Sequence, residues 1–407
     1  MRIVMIAGTW QATNGVVTSV RTFRKGLEAL GHQVRILVPE WTVPELEPGV
    51  IGLPARLLTQ DYYRWKIGVD GMVDALGGEP VDLIHVHHLF QTGHLAVGLA
   101  RRLQVPIVAT YHTLLAGYAH YVSDYLFGRW KPSPNLLGRL RTGLAAPIDS
   151  LARLYMPYHT RTLLNQVNQV IAPSRPILRL LRRQGVRQPI AVIPTGIHLA
   201  DYTHPASNRT LEKLGIDPKR QIILSVGRLA KEKNIWRLLE VFNLVHQALP
   251  DVQLVLVGPG PEEEAVRQWL IDHQLTRDVI VTGRLEPDRL KPLFGRADVF
   301  FFPSLTDTQA IVVVEALAAG TPAVVSNQNG PATIVIHNRT GFVCSDRTEA
   351  YTQELTRLLT DQALRTTMGA AAREDARRYA DDATARAMAE TYQSVLHRYS
   401  LKSPLIH

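Results

Sequence analysis

Two carboxylates, Asp307 and Glu315, lie in the stretch SLTDTQAIVVVEALAAGTP, which spans residues 304–322. Asp307 follows the apolar run VFFFPS, in a loop expected at the carboxyl end of a strand, and Glu315 lies within the run expected to form the next helix. The backbone N–H groups from about Gln309 to Ile311 would lie at the positive end of that helix, where an anion binds readily. Glu315 could accept two hydrogen bonds from a vicinal diol such as a ribose, and Asp307 would face whatever lies beyond the phosphates.

Simple structural roles for both acids remain open. Asp307 could cap the helix, and Glu315 could point into water. However, Glu315 is the only charged residue between Asp307 and Gly320, with Val and Ala on both sides. Because a merely solvated helix face would carry more polar positions, the pattern favours a binding role.

Two cations follow an earlier strand-like run in the stretch SVGRLAKEKNIWRLLEVF. Gly227 allows a tight turn there, and Arg228 and Lys233 precede the next helix. Arg binds phosphate oxygens with a planar fork and Lys acts as a point charge, so the two could neutralise a diphosphate. A solvated basic loop is the alternative. The acid pair further along the chain makes the phosphate-binding interpretation stronger.

The amino-terminal half contains further candidates. The Asn-Gly pair that ends at Gly15 joins the first strand to its helix, where the backbone could approach a substrate closely. It is not a G-x-G-x-x-G fingerprint, so no nicotinamide cofactor is predicted. His112 ends the run PIVATYH and could hydrogen-bond a sugar hydroxyl. For His85, His87 and His88 in HVHH, packing or supporting roles are favoured over metal binding, because no carboxylate lies at the usual zinc spacing.

The elements that must position these residues are read from short apolar runs that alternate with helix-period segments. Runs such as RIVMIAG, DLIHVHH, QIILSVG and VQLVLVG suit strands buried on both faces of a parallel sheet. Two series of about six runs predict two doubly wound α/β domains, at residues 1–200 and 201–385, followed by a C-terminal helix at 386–407 that could pack back on the first domain. Such sheets bind ligands at the carboxyl ends of their strands, so a cleft between the domains is the expected site.

A basic helical insertion is predicted at about residues 114–165, where no strand-like run occurs. Residues 129–183 contain ten basic side chains and one acid. A solvated face of a helical hairpin and an interfacial segment attracted to anionic lipid both fit this pattern. The candidate acceptor or membrane contacts are Arg129, Trp130, Lys131, Arg139, Arg141 and Arg153.

Composition narrows the class of protein. Hydrophobic residues make up 46% of the 407 and charged residues 20%, as in a globular chain long enough for two domains. The opening MRIVMIAGTW lacks the features of a signal peptide, and no uninterrupted apolar run is long enough to span a bilayer. The single cysteine, Cys344, rules out an internal disulfide and suits a reducing compartment. A cytoplasmic protein is therefore expected.

Taken together, these residues resemble the retaining, nucleotide-sugar-dependent glycosyltransferases of the GT-B fold (glycosyltransferase family four, group 1). The resemblance runs from NGVVTSVR through TYHT, IAPS, IPTGI, VGRLAKEKN and LVGPGPEE to NGPATIVIHNRTGFV, and it covers most of the chain. Within the family, the sequence is most similar to the bacterial diacylglycerol glucosyltransferases, which share the NGVVTS opening and the YHT…YxHY segment.

The resemblance implies an activity and a set of roles. It implies transfer of glucose from UDP-glucose to a lipid acceptor such as 1,2-diacylglycerol, at the inner face of the cell membrane, with anionic lipid as a partner and no nucleic acid. No tightly bound cofactor and no essential divalent metal are expected. Glu315 would contact the donor's ribose and Asp307 the transferred sugar. Arg228 and Lys233 would hold the diphosphate, and His112 would lie beside the donor sugar.

Three positions depart from the family pattern. Asp307 stands where Glu is usual, Ala310 replaces the usual Gly among the donor-binding loop residues, and His198 stands where Asp commonly follows PTGI. Together these departures leave the identity of the donor open. Three alternative functions are also open, and the Asp307 and Ala310 substitutions bear on the last of them. The alternatives are a related transferase with a glycolipid, phosphatidylinositol or soluble acceptor, a nucleotide-sugar epimerase, and a non-catalytic sugar-nucleotide-binding protein.

Overall fold

The computed structural model describes residues 1–10, 15–42, 47–59, 62–114, 150–151 and 154–402. The chain divides into two compact units. The N-terminal unit comprises Met1–Gly196 together with Asp382–His407, and the C-terminal unit comprises Ile197–Asp381.

A parallel sheet of seven strands, in the order β3-β2-β1-β6-β7-β8-β9, forms the centre of the N-terminal unit, and β4 and β5 form a separate antiparallel pair. The strand runs are short and apolar, which suits burial on both faces. The strands are β1 Arg2–Ile6, β2 Gln33–Pro39, β3 Val50–Leu53, β4 Ala55–Thr59, β5 Tyr62–Trp65, β6 Leu83–Val86, β7 Ile107–Thr110, β8 Gln169–Ala172 and β9 Ile190–Val192.

Helices of the N-terminal unit cover this sheet through apolar stripes. In the first of them Val16, Val20, Phe23 and Leu27 are buried at steps of three and four, as an amphipathic helix requires. Residues 154–164 are also helical. The labelled helices are α1 Gly15–Ala29, α2 Val69–Ala75, α3 Leu89–Leu103 and α4 Arg175–Arg183.

A parallel sheet of six strands, in the order β12-β11-β10-β13-β14-β15, forms the centre of the C-terminal unit. Alternate residues of its central strand face opposite sides: Leu224 lies in one buried cluster and Ile223 in the other. The strands are β10 Gln221–Val226, β11 Val252–Val257, β12 Val279–Gly283, β13 Val299–Phe302, β14 Ala323–Ser326 and β15 Gly341–Cys344.

Helices pack on both faces of this second sheet, since the two clusters draw on largely different helices. The predicted architecture of two doubly wound, Rossmann-like α/β domains is confirmed. The helices are α5 Asn208–Glu212, α6 Ile235–Ala248, α7 Glu263–Asp272, α8 Pro287–Arg296, α9 Ile311–Ala318, α10 Pro331–Ile334, α11 Thr348–Thr360 and α12 Gln362–Asp375.

The last helix, α13 (Asp381–Lys402), supplies core residues to the N-terminal unit. Its Met388 and Tyr392 are buried in the same cluster as Ile3 and Met5 of β1. The Tyr392 hydroxyl also lies 2.6 Å from Nδ1 of His85 in β6. Helix α13 therefore packs in the same core as β1, although the two elements are far apart in the sequence.

Most of the predicted basic insertion lies outside the described residues, and so do the six candidate membrane contacts. Where the description resumes, Leu151, Leu154 and Tyr155 are exposed, whereas Leu163 and Leu164 are buried. Among the described helices, none combines the length and the hydropathy needed to cross a bilayer.

Candidate functional site

Strand order reverses at one point in the C-terminal sheet. The chain runs outward from β10 to β12 on one side and then returns to place β13 on the other side of β10. β10 and β13 are parallel neighbours, with Ile223 of β10 opposite Val299 of β13. In open α/β sheets, ligands bind beside the carboxyl ends of the strands at such a switch point. The loops that follow β10 and β13 contain the predicted cations and the first predicted acid.

Lys233 and Asp307 meet at this switch point. The Lys233 ammonium donates to Asp307 Oδ1 at 2.7 Å, and the two side chains are 19% and 17% exposed. The Ser304 hydroxyl donates to the other carboxylate oxygen, Oδ2. The Thr306 hydroxyl donates to the Glu232 carbonyl at 3.1 Å, which ties the two loops together. Asp307 is therefore held by two donors and does not simply cap the helix that follows.

Arg228 forms an ion pair with Glu232, whose side chain is 1% exposed. Glu232 was not predicted as a site residue, because the stretch KEK is typical of a solvated charge run. The Arg228 side chain is bonded to this buried acid and is still 34% exposed. A pocket beside β10 is lined in part by Gly227, Arg228, Leu229, Lys233 and Phe302. A fixed guanidinium and an ammonium beside one pocket can bind the oxygens of a diphosphate.

Two glycines of the LVGPGPEE segment hold the Arg228 loop in place by close packing. A Cβ on Gly258 would lie 2.2 Å from the Gly227 carbonyl oxygen, and a Cβ on Gly260 would lie 2.0 Å from the Leu229 carbonyl oxygen. The Leu229 amide donates to the Pro259 carbonyl at 3.0 Å. The backbone around Arg228 is thus fixed by the neighbouring loop and not only by its own side chain.

Ala310, at the N-terminus of α9, has left-handed backbone angles, with φ 70° and ψ 72°. Its loop is packed tightly, because a Cβ on Gly330 would lie 2.5 Å from the Gln309 backbone. The Gly330 amide also donates to the Asp307 carbonyl at 2.9 Å. This conformation explains why a glycine suits the position, since an L-residue with a Cβ is strained there.

Replacing Ala310 by glycine is expected to raise the free energy of unfolding by about 0.5–1 kcal/mol. Relief of left-handed strain contributes about 1–2 kcal/mol, and the greater freedom of glycine in the unfolded chain opposes it. Urea unfolding measures the change. Ala319→Gly is the matched control, because Ala319 has right-handed backbone angles at the other end of α9. This variant should have a lower free energy of unfolding than the wild type. Equal losses in both variants would contradict the strain argument.

Glu315 lies on α9, and its carboxylate is partly buried. The Tyr202 hydroxyl donates to Glu315 Oε1 at 2.5 Å. Lys291 is bonded to Asp201 at 2.6 Å beside this pair. Burial raises the pKa of Glu315, while the Tyr202 hydrogen bond and the Lys291 charge oppose the rise. A carboxylate that pointed freely into water would have no such fixed partner, so the solvated alternative is wrong. The sequence offered no signal for Tyr202, which is 113 residues away.

Gly15 and His112 belong to the N-terminal unit. Gly15 is the first residue of α1, and an added Cβ there would meet no heavy atom of the described residues within 4 Å. His112 follows β7, and its Nε2 lies 2.9 Å from Nδ1 of His87. Burial holds the pKa of both imidazoles well below the usual range. The pair is therefore neutral at pH 7, with one ring donating and the other accepting.

The remaining predicted histidines are engaged with protein groups. Nε2 of His85 lies 2.7 Å from the Thr110 hydroxyl, and His88 Nδ1 accepts from the Gly8 amide at 2.9 Å. Burial lowers the pKa of His85 to about 3 and that of His88 to about 4. Within the described part of the chain, no group of three or more side chains is arranged to hold a metal ion.

Family models match both halves of the chain. Residues 13–201 match the model for Glycosyltransferase Family 4, and residues 207–375 match the model for Glycosyl transferases group 1. The chain belongs to the glycosyltransferases. The group 1 part of this glycosyltransferase contains Arg228, Lys233, Asp307 and Glu315.

Individual relatives agree with this membership. The glycosyltransferase is 29% identical to an alpha-monoglucosyldiacylglycerol synthase of Acholeplasma laidlawii, over 77% of this chain and 76% of that one. It is also 29% identical to an alpha-monoglucosyldiacylglycerol synthase of Streptococcus pneumoniae, over 80% of this chain and 70% of the relative. A solved structure of Alr3699/HepE from Anabaena, in complex with UDP and glucose, superposes with a TM-score of 0.73 at 17% identity. The superposition covers 97% of this chain and 100% of the Anabaena chain, and it confirms the fold.

The predicted site residues of this glycosyltransferase therefore fall into three groups. The structure brings Lys233 and Asp307 into contact and places Arg228 in the same pocket lining as Lys233. Gln309, Ala310, Ile311 and Glu315 follow on the same loop and helix. Gly15 and His112 lie in the other unit, and the basic contacts of the insertion lie outside the described residues.

Proposed function

We propose that the protein is a retaining glycosyltransferase that moves glucose from UDP-glucose to a membrane lipid acceptor such as 1,2-diacylglycerol. One observation supports the donor site above all. Two cations, Arg228 and Lys233, line one pocket at the switch point of the C-terminal sheet, and an acid contacts the second of them. The names of the two diacylglycerol-glucosylating relatives support the acceptor. The UDP and glucose bound to the Anabaena structure support the donor.

In the proposed reaction, the bond between the anomeric carbon and the diphosphate oxygen breaks as the acceptor oxygen attacks from the same face. The acceptor proton passes to the departing diphosphate, so no protein nucleophile is needed. Arg228 and Lys233 stabilise the charge that develops on the leaving group. Because both cations are anchored by carboxylates before the donor binds, little reorganisation is needed during the reaction.

The other residues have binding roles in this proposal. Glu315 accepts hydrogen bonds from the ribose, and the α9 N-terminal backbone from Gln309 to Ile311 receives phosphate oxygens. Asp307 faces the transferred sugar. His112 and Gly15 are donor contacts by family resemblance. No tightly bound cofactor and no essential divalent metal form part of the proposal.

Membrane association is proposed to be peripheral, on an anionic surface at the inner face of the membrane. The strong local charge supports it, since residues 129–183 contain ten basic side chains and one acid. Within the described part of that segment, helix α4 contains four of these basic residues, Arg175, Arg179, Arg182 and Arg183. Each basic residue near an anionic surface adds about 1 kcal/mol to binding.

A panel of nucleotide sugars against lipid and soluble acceptors tests the function. UDP-glucose with diacylglycerol in mixed vesicles is expected to release UDP and to yield an α-linked monoglucosyl product, identified by mass and by NMR. Removing anionic lipid or adding salt should lower the rate, because screening weakens surface attraction. Turnover with a soluble sugar alone would contradict the acceptor assignment. A β-linked product would contradict retention, and conversion of the nucleotide sugar without acceptor would favour an epimerase.

A further inference from the structure

We propose that Tyr202 is a positioning residue of the donor site, whose hydroxyl orients the Glu315 carboxylate for the ribose diol. The inference deepens the proposed function and rests on the donor role of Glu315. No described residue other than Tyr202 is shown donating to this carboxylate.

The position of the Tyr202 hydroxyl is fixed by packing. Tyr202 ends a 3-10 helix, Leu199–Tyr202, and is 5% exposed. Its ring packs edge to face against Phe294 of α8, with the centroids 6.1 Å apart. Lys291, also on α8, lies 6.0 Å from the ring centroid while its ammonium is bonded to Asp201. The ring therefore has little freedom, and its hydroxyl can hold Glu315 in one rotamer.

The hydrogen bond leaves the carboxylate able to bind a diol. An ionised carboxylate has about four acceptor positions on its two oxygens. Tyr202 occupies one position on Oε1, so Oε2 and the remaining position on Oε1 can receive two hydroxyl groups. A protonated carboxyl would instead present a donor and fewer acceptors, and it would bind a ribose less well.

The surroundings make the ionised form dependent on Tyr202. Burial in the apolar helix α9 raises the pKa of Glu315, and first the Tyr202 hydrogen bond and then the Lys291 charge lower it. Several other charged groups on the packed elements have protein partners. Asp201 is bonded to Lys291, Arg373 donates to the Ala319 carbonyl, and Arg378 pairs with Asp375. Loss of the Tyr202 hydroxyl would thus favour protonation of Glu315.

UDP titrations by calorimetry between pH 5.5 and 8 test the inference with wild type, Tyr202→Phe and Glu315→Gln. The phenylalanine ring keeps the packing and removes only the hydroxyl. Its Kd for UDP is expected to rise roughly tenfold at pH 7, equivalent to about 1.4 kcal/mol. The pH below which binding weakens is expected to move up by about one unit, since a charge-assisted hydrogen bond is lost. Glu315→Gln should bind weakly with no such pH dependence.

Tyr392→Phe is the matched control. It also removes a buried tyrosine hydroxyl that contacts a titratable side chain, at 2.6 Å, but in the N-terminal unit. Its UDP affinity and pH profile should match wild type. If Tyr202→Phe does not fold, 3-fluorotyrosine at position 202 tests the same hydrogen bond, because it keeps the ring and the hydroxyl. A more acidic phenol donates more strongly, so the pH midpoint should move down instead of up.

The outcomes separate the inference from the proposed function. A Tyr202→Phe or fluorotyrosine variant with the wild-type Kd and pH profile, alongside weakened Glu315→Gln, would overturn the role of Tyr202 and leave the donor site standing. Wild-type UDP affinity in Glu315→Gln would remove the donor role of Glu315 and the inference with it. A loss in Tyr392→Phe equal to that in Tyr202→Phe would show a general effect of stability and would also overturn the inference.

Discussion

Replacing Lys233 by alanine is expected to lower turnover by about 10²–10³-fold, the usual effect of removing one group that stabilises transition-state charge. The variant would lack the contact that Lys233 makes with the departing diphosphate. Asp307 would also lose the ammonium that lies 2.7 Å from its Oδ1. The unpaired carboxylate would then repel the diphosphate. Steady-state kcat and KM with UDP-glucose and lipid vesicles, together with UDP affinity, measure the effect.

Lys231→Ala is the matched control for this experiment. Lys231 belongs to the same short 3-10 helix, Lys231–Lys233, but its side chain is exposed. The two variants change the net charge of the same loop equally, so a general electrostatic effect would lower both activities. We expect near wild-type turnover for Lys231→Ala. Equal activities of the two variants would remove the diphosphate role of Lys233.

Acid is expected to destabilise the N-terminal unit by at least about 4 kcal/mol between pH 7 and pH 5. Two histidines account for this amount, because burial lowers the pKa of His85 to about 3 and that of His88 to about 4. Burial also lowers the pKa values of His87 and His112 well below the usual range, so these two rings add to the loss. In the unfolded chain each histidine would titrate near pH 6.5. Below that pH the unfolded state binds more protons than the folded state, so stability falls as the pH falls. The loss amounts to about 2 kcal/mol for each histidine at pH 5.

Native-state hydrogen exchange, corrected for the intrinsic rates, measures this effect. Protection of the β1, β6 and β7 amides should drop between pH 7 and pH 5. The β10 and β11 amides of the C-terminal unit provide the comparison. There burial raises the pKa values of Glu315 and Asp375, so the folded state binds more protons than the unfolded state and these groups do not favour unfolding at low pH. Equal loss of protection in both units would contradict the histidine explanation.

Asp307 illustrates how a departure from the family pattern is accommodated. The shorter side chain still reaches both the Lys233 ammonium and the Ser304 hydroxyl, so each carboxylate oxygen accepts one hydrogen bond from the protein. Ala310 is a different case, because the left-handed angles remain although the residue has a Cβ. The aspartate at position 307 has hydrogen-bond partners within its reach. The alanine at position 310 leaves backbone strain, which Ala310→Gly should relieve.

Much of the fold could be predicted from local patterns. Apolar runs such as QIILSV and VQLVLV became β10 and β11, and the glycine-rich ends of such runs became loops at the carboxyl edge. The types of Arg228, Lys233, Asp307 and Glu315 also pointed to a diphosphate and a diol. These features depend on neighbouring residues, whose periodicity and turn preferences are readable without knowing any distant contact.

Other features were decided only by the tertiary structure. The pairing of β10 with β13 places Lys233 beside Asp307 across 74 residues, and the packing of α8 against the 3-10 helix places Tyr202 on Glu315. The burial of Glu232 likewise has no local signal. The sequence predicted a C-terminal helix that could pack back on the first domain, but only the tertiary structure shows that Met388 and Tyr392 are the residues it buries there. The physical reason is that local propensity selects helix or strand, whereas the partner of each strand and helix face depends on which long-range arrangement buries the most apolar surface while pairing every polar group.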